Sequence, residues 1–365
     1  MARTRPHLVL AVLGLSMLAA AGCVGMSKPE GWAGPVTNAD GTVLVASTAK
    51  GKLSALSVED FSPVWTFPTG EEDPKIELEA IYGTPVVIGD TVYLGAYNGD
   101  VYALSLETGE PAWDQPFEAD GPIIAGLAAS ETAVYAASEE GTLYALDPKD
   151  GSEKKLFDAG DSIWAAPLLG DGVLYVASVN GKLHALDAKT LDPVWDAPFE
   201  ADQGLISDPV LADGSVLVGG FDRTLHAVDA ETAKERWSFK ADNWFWGRPL
   251  VKDGTVYAPN LDKRLYALSL ETGEERWSFK AEEPDPLRSA PVLAGGVLVI
   301  VDRGGNVYGL DPEAGTLKWS APAALEKTVL SNPLVVGEEV LISAQGGDLF
   351  RVDAKAGGFV EVVTP

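Results

Sequence analysis

The chain has 365 residues, and its 54 Asp and Glu outnumber 27 Lys and Arg for a formal net charge of −27. A surface that acidic repels nucleic acid and anionic lipid head groups, which excludes partners held through phosphate charge. One cysteine and three histidines exclude a disulfide framework and leave few ligands for a metal centre.

The N-terminus carries Arg3 and Arg5, then an apolar run from Leu8 to Ala21, then Gly22 and Cys23. That order of charged, apolar and small segments predicts an export signal, too short to persist as a membrane-spanning helix. Ala20-Ala21-Gly22-Cys23 resembles a lipobox, which implies cleavage before Cys23 and acylation of its thiol and new amino group. Residues 1–22 are read as a lipoprotein signal peptide, 23–31 as a lipid-anchored linker and 32–365 as the folded part. Acylation also removes the hazard of a single unpaired thiol in an oxidising compartment. The signal contains two arginines and no acid, so its loss takes the net charge from −27 to −29, and contact with the membrane falls to the lipid. Val24 stands where an aspartate commonly retains lipoproteins in the inner membrane. The expected location is extracytoplasmic and lipid-anchored, at the periplasmic face of the outer membrane in a double-membraned source.

From residue 32 onward a unit of about 42 residues recurs. Each unit runs through Pro, an apolar stretch, a Gly/Asp turn, a Val-Tyr-Val-like segment, a Gly-containing turn, Leu-Tyr-Ala-Leu-Asp, Thr-Gly and Trp. The alanine slot of that core holds Ala55, Ala103, Ala145, Ala185, Ala227, Ala267, Gly309 and Arg351, which counts eight units. Eighteen residues earlier stand Pro85, Pro167, Pro209, Pro249, Pro291 and Pro333, with Leu127 in unit three and Pro35 displaced by two in unit one. Ten residues after the alanine slot stand Trp65, Trp113, Trp195, Trp237, Trp277 and Trp319, while units three and eight offer only Leu156-Phe157 and Phe359-Val360. Short alternating runs such as Val92-Tyr93-Leu94 and Val101-Tyr102-Ala103-Leu104, bounded by Gly, Asp and Asn turns, predict antiparallel hairpins. Four strands in a unit of this length make a propeller blade, because radial packing buries both faces of each small sheet. The expected fold is all-β, an eight-bladed β-propeller of four-stranded antiparallel blades.

Ala103-Leu104-Ser105-Leu106-Glu107-Thr108-Gly109-Glu110-Pro111-Ala112-Trp113 resembles the pyrroloquinoline-quinone (PQQ) repeat, A-x-D-x-x-x-G-x-x-x-W. Ala267 to Trp277 repeats it almost verbatim, and Ala185 to Trp195 and Ala227 to Trp237 keep the Ala, Asp and Trp but lose the glycine. In that family the tryptophan packs against the repeat's alanine while the aspartate and glycine shape the turn, which implies blades fastened to one another. Within the family, an eight-repeat lipoprotein is most similar to the outer-membrane assembly factors, which hold no cofactor and act as scaffolds beside the barrel-inserting machine. The resemblance implies an envelope protein partner, no cofactor, no catalysis and a monomeric propeller.

Quinoprotein dehydrogenases share the repeat and hold quinone over calcium with acidic and Asn ligands, a catalytic Asp and often an adjacent-cysteine disulfide. Here Cys23 is consumed by processing and the acids sit mostly in turns. His7 leaves with the signal, and His184 and His226 fill the slot held elsewhere by Tyr102, Tyr144, Tyr266, Tyr308 and Phe350. Both are read as packing residues, so no catalytic or metal-binding residue is assigned. Asp147-Pro148-Lys149-Asp150-Gly151 is read as a turn, since it lacks the later glutamate of a calcium loop.

Six of ten tryptophans fill the docking slot, leaving Trp32, Trp164, Trp244 and Trp246. Two residues before each proline slot the side chain is small (Ala33, Gly83, Ala125, Ala165, Ser207, Gly247, Ser289, Ser331), which marks inner strands crowding the axis. Three before it stand Trp32, Tyr82, Ile124, Trp164, Ile206, Trp246, Arg288 and Leu330, a ring expected at the mouth of the central funnel. Acids surround it: Glu71-Glu72-Asp73, Glu118, Asp120, Asp158, Asp161, Glu200, Asp202, Asp242, Glu282-Glu283 and Asp285. Trp32, Tyr82, Trp164, Trp244, Trp246, Arg248 and Arg288 are the candidate partner-binding residues. They either plug gaps between blades or form an aromatic funnel that takes an extended or basic protein segment, the collar supplying steering. Stacked tryptophans also suit a small molecule or glycan, and a sensor of envelope conditions is a third reading.

Overall fold

The computed structural model describes residues 31–48, 51–68, 76, 78–283, 285–319 and 323–363. The expected signal peptide, Cys23 and the Glu71-Glu72-Asp73 part of the expected collar lie outside the described residues. Among those residues there is no helix, and thirty-two strands form eight four-stranded antiparallel sheets. Each sheet uses four consecutive strands, so blades 1 to 8 span 36–67, 86–118, 128–158, 168–200, 210–240, 250–280, 292–324 and 334–363. This is the predicted eight-bladed propeller. Blade 1 is wholly N-terminal and blade 8 wholly C-terminal, so the described strands close the ring without strand exchange.

Closure is carried by side chains. Eight apolar cores each join two neighbouring blades, and the last, Leu44 and Leu56 against Leu341 and Leu349, joins blade 8 back to blade 1. Within a blade burial peaks at the second and third strands and is lowest at the fourth. The second strand of blade 5, Ser215–Gly219, is buried throughout, whereas the fourth strand of blade 3, Glu153–Asp158, is almost wholly exposed. A strand sandwiched between two blades needs apolar residues on both faces, which explains runs such as Val-Leu-Val-Ile-Val at Val297–Val301.

The docking tryptophans fasten consecutive blades. Trp65, Trp113, Trp195, Trp237 and Trp319 each donate Nε1–H to a carbonyl of the next blade, at Leu106, Pro148, Ala230, Leu270 and Ala354, over 2.7–3.0 Å. Each indole also abuts the turn six residues after the next blade's alanine slot. A β-carbon on Gly109, Gly151, Gly273 or Gly357 would come within 2.5–2.6 Å of it, and one on Gly315 within 2.4 Å of Trp277.

Blades 3 and 8 lack this tryptophan, and in blade 3 the pair Leu156-Phe157 does not take its place. The strand register opposes Ala145 with Lys155 and Arg351 with Glu361, and Leu156 is left 54% exposed. The following blade compensates instead. Its turn carries Leu191 after blade 3 and Phe61 after blade 8, at φ of 57° and 56°, where tryptophan-bearing joints have glycine or Ala233. Tyr135 Oη donates to the Ala188 carbonyl, as Tyr93 and Tyr257 do to those of Pro148 and Pro312 at joints that keep the tryptophan.

Candidate axial binding face

Two loops per blade meet on one face of the ring, the loop leading into the first strand and the hairpin between strands two and three. A repeating backbone bond ties them. The N–H groups of Tyr97, Glu139, Val179, Phe221, Leu261, Arg303 and Gln345 donate to the carbonyls of Ala80, Pro122, Ser162, Gly204, Trp244, Pro286 and Thr328.

The small residues of the leading loops pack against the next blade, as their size predicts. A β-carbon on Gly83 would lie 2.2 Å from the Ala125 carbonyl, and one on Gly247 2.4 Å from that of Arg288. With that side fixed, strand alternation turns the preceding and following residues toward the axis.

The ring three before the proline slot forms a connected aromatic cluster. Trp32 lies 4.3 Å from Tyr82, which meets Tyr97 edge-on at 5.3 Å. Trp164 stacks with Trp246 at 6.2 Å and 29°, across the blade that carries Ile206. Arg288 links the two halves, its guanidinium 4.4 Å from the Trp246 ring centre and 4.9 Å from that of Trp32. Phe221 stands 6.0 Å from Trp164, 6.2 Å from Trp246 and 4.7 Å from Trp244, and so draws Trp244 into the cluster. Arg248 stays outside it: the residue is exposed, one position before Pro249, and its charge faces the carboxyl of Asp208.

Tyr97 and Phe221 were not expected. Their signal is the hairpin-tip slot six residues before the repeat alanine, which brings a second circle of side chains beside the first.

Burial, reinforced by the charge of Arg303, pushes the Arg288 guanidinium down to about 10. Burial, with Tyr97, Glu139 and Glu79 nearby, pushes the Tyr82 phenol up to about 12. Within the ring Arg288 has Arg303 of blade 7 beside it, whereas Tyr82 has Glu79 and Glu139 of blades 2 and 3. The described collar acids are exposed except Asp285, which is half-buried and pairs with Arg303 at 3.3 Å.

The two histidines differ. His184 packs edge-on against Phe157 at 5.0 Å, and burial, then Lys182, pushes its pKa down to about 4. His226 is more than packing. Its Nδ1 lies 2.6 Å from Glu235 and its Nε2 2.8 Å from Asp222, so carboxylates engage both ring nitrogens. The expectation of a purely packing role is corrected here, because a bulge opposite Ala227 and Val228 brings the fourth strand's Glu235 within reach. Asp147 receives the Lys149 N–H in a tight turn, as expected. A cavity of about 360 Å³ lined by Asp213, Ser215, Arg236, Ser269, Glu271 and Arg276 opens on the opposite face, among the turns between strands one and two and strands three and four.

Eight such blades, six of them locked by tryptophan against the next blade's turn, define a propeller of the PQQ-repeat class. The chain belongs to the family described as outer membrane protein assembly factor BamB, whose model matches residues 33–156, 98–204, 155–240 and 193–362. Relatives named outer membrane protein assembly factor BamB include that of Xanthomonas campestris, 30% identical over 121 residues (32% of this chain and 29% of the relative). That of Pseudomonas aeruginosa is 27% identical over 115 residues (31% of this chain and 29% of the relative). The matched stretch thus spans under a third of either relative. The crystal structure of BamB from Moraxella catarrhalis has the same fold, with a TM-score of 0.72 at 20% identity over 87% of this chain and 92% of that one. So does the computationally designed Ika8 protein, with a TM-score of 0.73 at 15% identity over 88% and 95%.

Proposed function

We propose that this chain is a lipid-anchored, extracytoplasmic scaffold that does no chemistry and binds a protein partner in outer-membrane protein assembly. The observation that carries the reading is the contiguous cluster Trp32, Tyr82, Arg288, Trp246, Trp164, Phe221 and Trp244 at the axial face. Clustered Trp, Tyr and Arg are the side chains that concentrate binding energy at the centre of protein interfaces. The exposed acids around them raise the encounter rate with a basic segment. A cluster shared among six blades suits a protein surface better than an enclosed chamber for a small ligand. The family, and the names its members carry, support the assembly role, and Cys23 supports the anchor.

Affinity capture from native membranes tests this. The unaltered protein is expected to bring down barrel-assembly components, and Trp244→Ala and Trp246→Ala to reduce the yield tenfold or more. Undiminished capture by variants with native circular dichroism rejects this face. Cys23→Ser is expected to move the protein from the membrane to the soluble fraction.

A further inference from the structure

Arg288 is held in an unusual setting for so acidic a chain. Its guanidinium lies between the rings of Trp246 and Trp32, and among the described residues no carboxylate or other acceptor receives its N–H groups. Acids are not scarce, since 54 are present and the neighbouring Arg303 has one, pairing with Asp285. The side chain is half-buried, and withdrawing even part of a cation from water without a counter-charge is unfavourable. Two indole faces offset part of the lost hydration, yet they provide nothing for five donors to bond. On the other side of Trp246, the buried Nε1–H of Trp164 likewise finds no acceptor. A guanidinium with no protein acceptor and a buried, unpaired N–H thus border the same indole at the open face.

We infer that the axial mouth is a carboxylate-binding site, with Arg288 as the bidentate ligand and Trp32 and Trp246 as walls that hold its fork in plane. A guanidinium stacked on aromatic rings keeps its edge free, and that edge matches a carboxylate through two parallel hydrogen bonds. The net charge of −27 and the exposed collar disfavour a multiply charged anion such as a phosphate ester. A single flat carboxylate carries the least charge past the collar and fits between the indole walls. It comes from either of two sources, the C-terminus of an extended peptide or a free organic acid. The inference rests on reading this face as a binding surface, and it adds the chemistry that the surface recognises.

The test uses the full chain in detergent, followed by calorimetry and indole fluorescence. The probes are acetyl-Gly-Phe-Phe with a free C-terminal carboxylate, the same peptide as its amide, and benzoate. The acid peptide is expected to bind at least tenfold more tightly than the amide, a comparison that needs no variant. Arg288→Met should abolish that difference, Arg288→Lys should recover part of it, and Arg303→Met should leave most of it. Benzoate binding as tightly as the acid peptide identifies a free organic acid, and weaker binding identifies a chain terminus. Equal affinity for acid and amide, undiminished binding by folded Arg288→Met, or no binding by any carboxylate probe overturns the inference. Membrane capture reads the scaffold role separately, so capture that survives alongside a failed titration leaves that role standing and removes only the carboxylate site.

Discussion

Trp237 of blade 5 reaches so far into blade 6 that a β-carbon on Gly273 would stand 2.6 Å from its indole, while its Nε1–H donates to the Leu270 carbonyl at 2.8 Å. The glycine is required twice over, by that approach and by its φ of 72°. Ala233 fills the same slot beneath Trp195 at φ of 59°, so one methyl group is accommodated with a backbone adjustment. Gly273→Ala is therefore expected to cost about 1 kcal/mol, and Gly273→Leu about 3 kcal/mol or more through overpacking. Urea unfolding of the two variants checks the order, and equal midpoints for both would refute the docking account.

The joint between blades 3 and 4 makes the converse prediction. Leu191 fills the space that a tryptophan occupies elsewhere and is only 4% exposed, although it holds φ of 57°. Leu191→Gly relieves the backbone but opens a cavity, for a net loss of roughly 1–3 kcal/mol. Lys155 stands at the missing tryptophan's position, opposite Ala145. Lys155→Trp combined with Leu191→Gly should recover most of that loss, whereas Lys155→Trp alone should meet Leu191 and destabilise. A double-mutant cycle by chemical denaturation measures the coupling, and additivity would show that the two positions do not share one space.

These joints mark how far the sequence could be read. The alanine and tryptophan slots give the blade count and the phase of every strand, because each has one steric role repeated at a fixed offset. Compensation between units was illegible, since Leu191 and the missing partner at Lys155 belong to different repeats and meet only when blades pack. The axial ring was legible for a similar reason: Pro249 fixes the phase of Trp246, and Gly247 shows which side faces the next blade. That Arg288 lies between Trp246 and Trp32 depends on the radius of the closed ring, which no local pattern encodes. Phe221 escaped notice because its hairpin-tip slot also holds Glu139, Val179 and Gln345, with no common residue type to reveal it.

His226 makes stability depend on pH. Burial lowers its pKa, but the bonds to Asp222 and Glu235 and their charges outweigh burial, and the net shift is upward from 6.5. A raised pKa in the folded state means that the imidazolium stabilises the fold below pH 6.5, and that this contribution is lost as pH rises through the folded value. In blade 6 the same slot holds Tyr266, whose hydroxyl donates to Asp262 at 2.6 Å without titrating in this range. His226→Tyr is therefore expected to keep the bond to Asp222 and to flatten the fall in stability between pH 6 and 9. Urea midpoints of both proteins across that window decide it, and parallel curves would remove His226 as the cause.

Asp208 has the opposite chemistry and the clearest substitution. Its Oδ1 accepts the Ala166 N–H at 2.8 Å, and in blade 8 an uncharged side chain does the same work, Asn332 accepting from Ala290 at 2.9 Å. Burial raises the Asp208 pKa above 3.8, partly offset by the Ala166 bond and the charge of Arg248. A carboxyl whose folded pKa is raised favours the fold while protonated, and that contribution disappears as pH climbs through the folded value. Asp208→Asn keeps the acceptor and drops the charge, so it should stabilise the protein at pH 7 by on the order of 1 kcal/mol. The advantage should shrink as the pH falls and the wild-type carboxyl takes up its proton. Asp208→Leu should instead cost about 1–3 kcal/mol at every pH, because it leaves the Ala166 N–H without a partner. Thermal melts at pH 4 and pH 7 separate the two effects. If Asp208→Asn were destabilising at pH 7, the charge itself would be what the site requires, and Arg248 of the adjacent blade would be its counter-ion.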